Sequence, residues 1–129
     1  MKGNLYGTTG GGGRYGAGTV FRISPTGRET VLHHFTGADG AVPAAGLIQD
    51  ALGNLFGTTA TGGAYGYGAV FKLAADGTET VLYSFCGDPD CVDGNQPSFA
   101  SLVRDRAGNM YGVAGLGADQ AGVVFNLTP

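Results

Sequence analysis

Internal repetition limits what this chain can fold into more than any other feature of its sequence. GNLYGTT at residues 3–9 returns as GNLFGTT at 53–59 and, altered, as GNMYGVA at 108–114. RYGAGTVF at 14–21 returns as AYGYGAVF at 64–71, with AGVVF at 121–125 as a shortened third copy. RETVLHHF at 28–35 is mirrored by TETVLYSF at 78–85. A period of about 50 residues is the length of one supersecondary unit in a repeat architecture, so every local motif has to be read as part of a copy.

Each copy parses into short strands. In the complete copy they span 47–50, 54–59, 69–73 and 80–85, rich in Val, Leu, Phe and Thr, residue types that suit a pleated surface. D-x-x-G-N at 50–54 and 105–109 places Asp and Gly at the first and fourth positions of a type I turn, and predicts a tight antiparallel hairpin. Ser24-Pro25-Thr26-Gly27 and Asp76-Gly77 supply turn chemistry between the last two strands of each copy. Simple alternation in the last strand puts Val31, His33 and Phe35 on one face and Leu32 and His34 on the other. The connections to the next copy, 36–46 and 86–101, are long and contain proline, as crossings between sheets do. The fold class predicted is all-β, with four-stranded antiparallel blades of the β-propeller kind. A β-sandwich or a solenoid fits the period less well.

Counting strands gives three, four and three. The expectation is a single repeat domain over 1–129, with a partial blade at 3–36, a complete blade at 46–86 and a partial blade at 101–128. A propeller buries each blade against its neighbours and needs about four blades to close. Unfinished end blades are therefore expected to recruit copies of the same chain into a ring or a fibre.

The glycine-rich stretch at 7–18 contains the G-x-G-x-x-G spacing at Gly11, Gly13 and Gly16. A phosphate-binding loop needs a helix after its last glycine, whereas Thr19-Val20-Phe21 predicts a strand, and the second copy has Thr61 in place of Gly11. A hairpin loop relaxed by glycine is the reading that fits. Glycine numbers 26, roughly three times the ordinary share, yet hydrophobic content of 43% is too high for a flexible linker. A net charge of -3 with seven scattered Lys and Arg argues against nucleic acid as a partner, and no apolar run is long enough to span a bilayer.

GNLYGTT, YGxGxVF, ETVLxxF and the run Pro43-x-x-Gly46-Leu47-Ile48-x-Asp50-x-x-Gly53-Asn54 resemble the tandem repeat called GloVer, over nearly the whole chain. The Pro43-to-Gly57 segment is similar, more loosely, to the blade signature of NHL-type propellers. GloVer repeats occur in exported bacterial proteins with varied surface anchors. The resemblance thus implies an extracellular or cell-surface location and brings no catalytic activity with it. This chain departs from larger members in carrying under three repeats and no visible anchor.

Several residues are candidates for chemistry. Tyr15, Tyr65 and Tyr67 lie in the glycine-rich loops and are the candidates for ligand contact, a glycan in particular. Tyr6, Phe56 and Tyr111, and Phe21, Phe71 and Phe125, recur at fixed positions and read as core. In the polar loop CGDPDCVDGNQP, Asp88, Asp90 and Asp93 are candidate ligands for Ca²⁺, although Asp93-Gly94 aligns with the turn Asp39-Gly40, so a solvated acidic loop is the default. Cys86 and Cys91 are expected to form a disulfide in an oxidising compartment, contributing only about 2 kcal/mol because the loop is so short. His33 and His34 point to opposite faces and cannot share a metal, and with no Cys or repeated carboxylate placed beside them to complete a ligand set they read as packed or surface histidines. The function expected is a non-enzymatic structural module that self-associates. The alternatives are a glycan-binding propeller lectin assembled from several chains and a propeller-type lyase or hydrolase.

Overall fold

The computed structural model describes residues 3–43, 45–87, 102–115 and 123–128. Ten strands run β1 (Leu5–Thr9), β2 (Thr19–Ile23), β3 (Glu29–His34), β4 (Ile48–Gln49), β5 (Leu55–Thr59), β6 (Ala69–Leu73), β7 (Glu79–Ser84), β8 (Val103–Arg104), β9 (Met110–Ala114) and β10 (Val123–Leu127). They form three antiparallel sheets of three, four and three strands, each pairing neighbours in sequence order. The described residues contain no helix.

The turns explain this simple order. In β4–β5, the Asp50 carbonyl accepts from the Gly53 N–H at 3.1 Å. Asp50 Oδ1 accepts from the Leu52 and Asn54 N–H groups at 3.0 and 2.9 Å, and the Asn54 side chain donates to Oδ2 at 2.9 Å. Asp105 and Asn109 reproduce the arrangement between β8 and β9, with bonds of 2.9 to 3.0 Å. The Asn109 side-chain hydrogen bond, helped by backbone donors, holds the Asp105 carboxyl below its usual range. A five-residue motif thus closes its own hairpin through local hydrogen bonds.

The glycine loops are hairpin connections. Gly13, Gly16 and Gly18 have φ of 79°, 74° and 106°, and Gly63, Gly66 and Gly68 repeat these at 80°, 83° and 107°. L-residues with side chains seldom adopt such angles. Gly18 and Gly68 then donate back to Gly12 and Gly62 at 3.0 Å, and the chain enters β2 and β6. The loop N–H groups of Arg14 and Ala64 find equivalent acceptors in His34 Nδ1 and Ser84 Oγ, at 3.0 and 3.1 Å.

Alternation along β3 departs from the expected pattern. Val20 pairs with His33 but the adjacent Phe21 pairs with Val31, a bulge that inserts Leu32. Val31 therefore shares a face with Phe21, while His33 shares the opposite face with Val20. The same slip occurs in β7 between the Val70–Tyr83 and Phe71–Val81 pairs.

Two apolar layers hold the three sheets together. Val20, Phe35, Leu55, Phe71 and Leu73 form the layer between the first and second sheets, joined by Tyr6, Leu32 and Leu47. Phe56, Val70, Phe85, Leu102, Met110 and Ala114 form the layer between the second and third, joined by Phe125. β5 and β6 supply both, because Leu55 and Phe71 point one way and Phe56 and Val70 the other. Each aromatic of the VF motif also covers a glycine on the facing strand. A methyl group at Gly7, Gly57 or Gly112 would lie 2.7, 2.8 or 2.5 Å from the Cζ of Phe21, Phe71 or Phe125. Ring and glycine form one recurrent unit in all three sheets.

Candidate functional site

At each sheet junction a phenylalanine at the end of one sheet's last strand stacks edge-on against the VF phenylalanine of the next sheet. Phe35 meets Phe71 at 5.0 Å between ring centroids, and Phe85 meets Phe125 at 5.1 Å. A further ring precedes each: His33 lies 4.8 Å from Phe35 and Tyr83 lies 5.0 Å from Phe85. The relay is built from ring positions that recur, and it aims His33 into the first junction.

There His33 meets two carboxylates. Its Nε2 is 2.8 Å from Asp39 Oδ2, and the ligating atoms of His33, Asp39 and Glu79 all lie within 4.8 Å of one another, each side chain half-buried. Asp39 belongs to the crossing between the sheets, where its Oδ1 accepts from the Thr36 N–H at 2.8 Å and from the Thr36 hydroxyl at 3.0 Å. Glu79 opens β7 beside Leu73, on the face turned towards the first sheet. Burial, with the negative charge of Asp39 added, pushes the Glu79 carboxyl up to about 7. Its Oε2 is out of reach of solvent and accepts no hydrogen bond.

This cluster corrects the expectation that no carboxylate stands beside the histidines. Asp39 does perform the turn chemistry assigned to it, but with only one of its oxygens. Glu79 is 46 residues from His33 in sequence, so no spacing rule could have joined them. The one available signal was the histidine itself, which replaces Tyr83 of the other copy. His34 stays apart from the cluster, occupied with the Arg14 N–H.

Tyr15, Tyr65 and Tyr67 are exposed on the two equivalent glycine loops, with Tyr65 lying against Gly87. Asp88, Asp90, Asp93 and Cys91 lie outside the described residues, so the Ca²⁺ and Cys86–Cys91 expectations fall there too. Clefts open at equivalent places on the two junctions. The first, of about 230 Å³, is lined by Tyr6, Arg22, Leu32, Leu55 and Leu73. The second, of about 590 Å³, is lined by Phe56, Lys72, Leu82, Met110 and Leu127, with Asp50 and Arg104 adding charge.

The outer faces of the end sheets carry the apolar positions that the second sheet buries. Leu5 is 66% exposed where its counterpart Leu55 is 4% exposed, and Val124 is 75% exposed where Val70 is fully buried. Tyr111 and Val113 extend the exposed surface on the third sheet, and Val31 does so on the first.

Residues 1–129 match the Gloeobacter/Verrucomicrobia repeat. No curated protein and no solved structure matches the chain.

Proposed function

The chain belongs to the Gloeobacter/Verrucomicrobia repeat family, and from that premise we propose that it is a non-enzymatic extracellular structural module. Its sheets act as propeller-like blades, and it associates with copies of itself through the outer faces of its first and third sheets.

The observation that carries this reading is the kinship of those two faces with surfaces already packed inside the chain. The outer face of the first sheet, with Leu5 and Phe21, is equivalent to the Leu55 and Phe71 face by which the second sheet packs on the first. The outer face of the third, with Tyr111 and Val124, is equivalent to the Phe56 and Val70 face by which the second packs on the third. Docking the third sheet of one copy on the first sheet of another repeats the internal packing. Such a head-to-tail contact uses two different surfaces, so it makes a ring if the rotation closes and a fibre if it does not. Each exposed leucine or valine fully buried contributes about 1.5–3 kcal/mol.

Light scattering after size exclusion tests the reading. The expected outcome is concentration-dependent association, abolished singly by Leu5→Asp and by Val124→Asp. Mixing these two variants should restore a dimer and nothing larger, since each keeps one intact face and the intact faces are complementary. A monomer at every concentration overturns the proposal. Exposure of Tyr15, Tyr65 and Tyr67 on equivalent loops supports a second reading, glycan binding by the assembled chains. That reading requires binding on a glycan array that Tyr65→Ala weakens.

A further inference from the structure

We propose that His33, Asp39 and Glu79 form a divalent-cation site at the junction of the first and second sheets, and that a zinc-like ion is the one it takes. The ligands come from β3, from the crossing that follows it and from β7, so an ion held by all three would tie the two sheets together.

Geometry supports this in three ways. His33 Nε2 and Asp39 Oδ2 already stand together at 2.8 Å, about half an ångström short of the edge of a tetrahedral site with bonds of roughly 2.0–2.2 Å, and the Glu79 oxygen, within 4.8 Å of them, has only to close in on the entering ion. Asp39 Oδ1 is fixed by two bonds from Thr36, which leaves Oδ2 facing the cluster, as outer-shell partners do for ligating carboxylates. Glu79 adds an independent observation, for its Oε2 is shut off from solvent and has no donor, although buried polar atoms are nearly always satisfied. Among the described residues no lysine or arginine pairs with either carboxylate, and the one ion pair is that of Asp39 with His33. A cation at the centre would satisfy the orphaned oxygen and balance both carboxylates at once.

The ligand types select the ion. An imidazole nitrogen with two carboxylate oxygens suits zinc, whereas calcium prefers six or more oxygens. Three protein ligands leave a fourth position open. The second junction has no such set among the described residues, where Tyr83 takes the place of His33.

Titration of the chelator-stripped full chain with zinc chloride, followed by calorimetry, tests the site. One ion should bind per chain, and the melting temperature should rise with zinc concentration. His33→Ala, Asp39→Asn and Glu79→Gln should each weaken binding at least about 10-fold, while His34→Ala should bind as the parent does. Zinc-edge absorption should show one imidazole among oxygen ligands. Glu79→Gln keeps the side chain's size and removes its charge, so weaker binding by a metal-free variant as stable as the parent cannot be ascribed to unfolding. Unchanged affinity in Glu79→Gln, absence of binding by the parent, or loss of binding only on changing Asp88, Asp90 and Asp93 together would each overturn the proposal.

Discussion

The two sheet junctions share one pattern of ring packing and differ in its first ring. In the first, His33, Phe35 and Phe71 follow one another edge to face, and in the second Tyr83, Phe85 and Phe125 do so at nearly the same separations. Packing needs only a flat apolar edge at the first position, which imidazole and phenol both offer. The polar cluster needs imidazole in particular. Repetition therefore conserves the mechanical part of the junction and leaves its chemistry free to vary between copies.

Breaking the relay tests the mechanical half. Phe71→Ala should cost about 3–5 kcal/mol in chemical denaturation, because the ring is fully buried and covers Gly57. Phe125→Ala should cost less, its ring being only partly buried. Equal costs would mean that the two junctions contribute alike despite their different burial.

Glycine substitutions probe the same contact from the other strand. Gly57→Ala should destabilise by about 1–3 kcal/mol, since Phe71 and Leu47 both stand 2.8 Å from the added carbon and Phe71 has no room to withdraw. At Gly112→Ala the less buried Phe125 can swing aside, and a smaller loss is expected.

Converting one junction to the other separates packing from chemistry. His33→Tyr should keep the contact with Phe35 and cost only about 1 kcal/mol, from the lost hydrogen bond to Asp39. A loss near that of Phe71→Ala would show that the cluster holds the sheets together.

Acidity distinguishes the junctions further. The Glu79 carboxyl titrates at about 7 when folded, against its ordinary 4.5. A raised carboxylate contributes stability that is fully present below about 4.5 and is lost as pH rises through about 7, because the unfolded chain gives up its proton first. The metal-free chain should lose stability across that window, and Glu79→Gln should flatten the decline, as thermal melts over pH would show.

The smallest effect expected is at Val42, in the crossing beside the cluster, where a β-branched residue has φ of 54°. Val42→Gly should stabilise by about 0.5 kcal/mol, relief of left-handed strain slightly exceeding glycine's entropy cost. A loss there would mean that the Val42 side chain's packing outweighs its strain.

Much of this architecture is legible in the sequence because its causes are local. Asp50-to-Asn54 closes its hairpin with bonds inside five residues, and Thr19-Val20-Phe21 declares a strand after the glycine loop. The strand limits at 69–73 coincide with β6, and the count of three, four and three strands holds. The side-chain order along β3 departs from simple alternation, since a bulge depends on how β2 pairs with it and leaves no mark in the sequence. The role of Gly57 was equally hidden, because its reason is a ring on another strand.

Period, turn chemistry and strand content were thus settled by the order of amino acids alone, since hydrogen bonds over four or five residues and the preference of side chains for a pleated backbone need no distant partner. Which face meets which sheet, and the meeting of His33 and Asp39 with Glu79, were decided only in three dimensions. Those outcomes depend on stacking one sheet upon the next, which brings together side chains that the sequence keeps far apart.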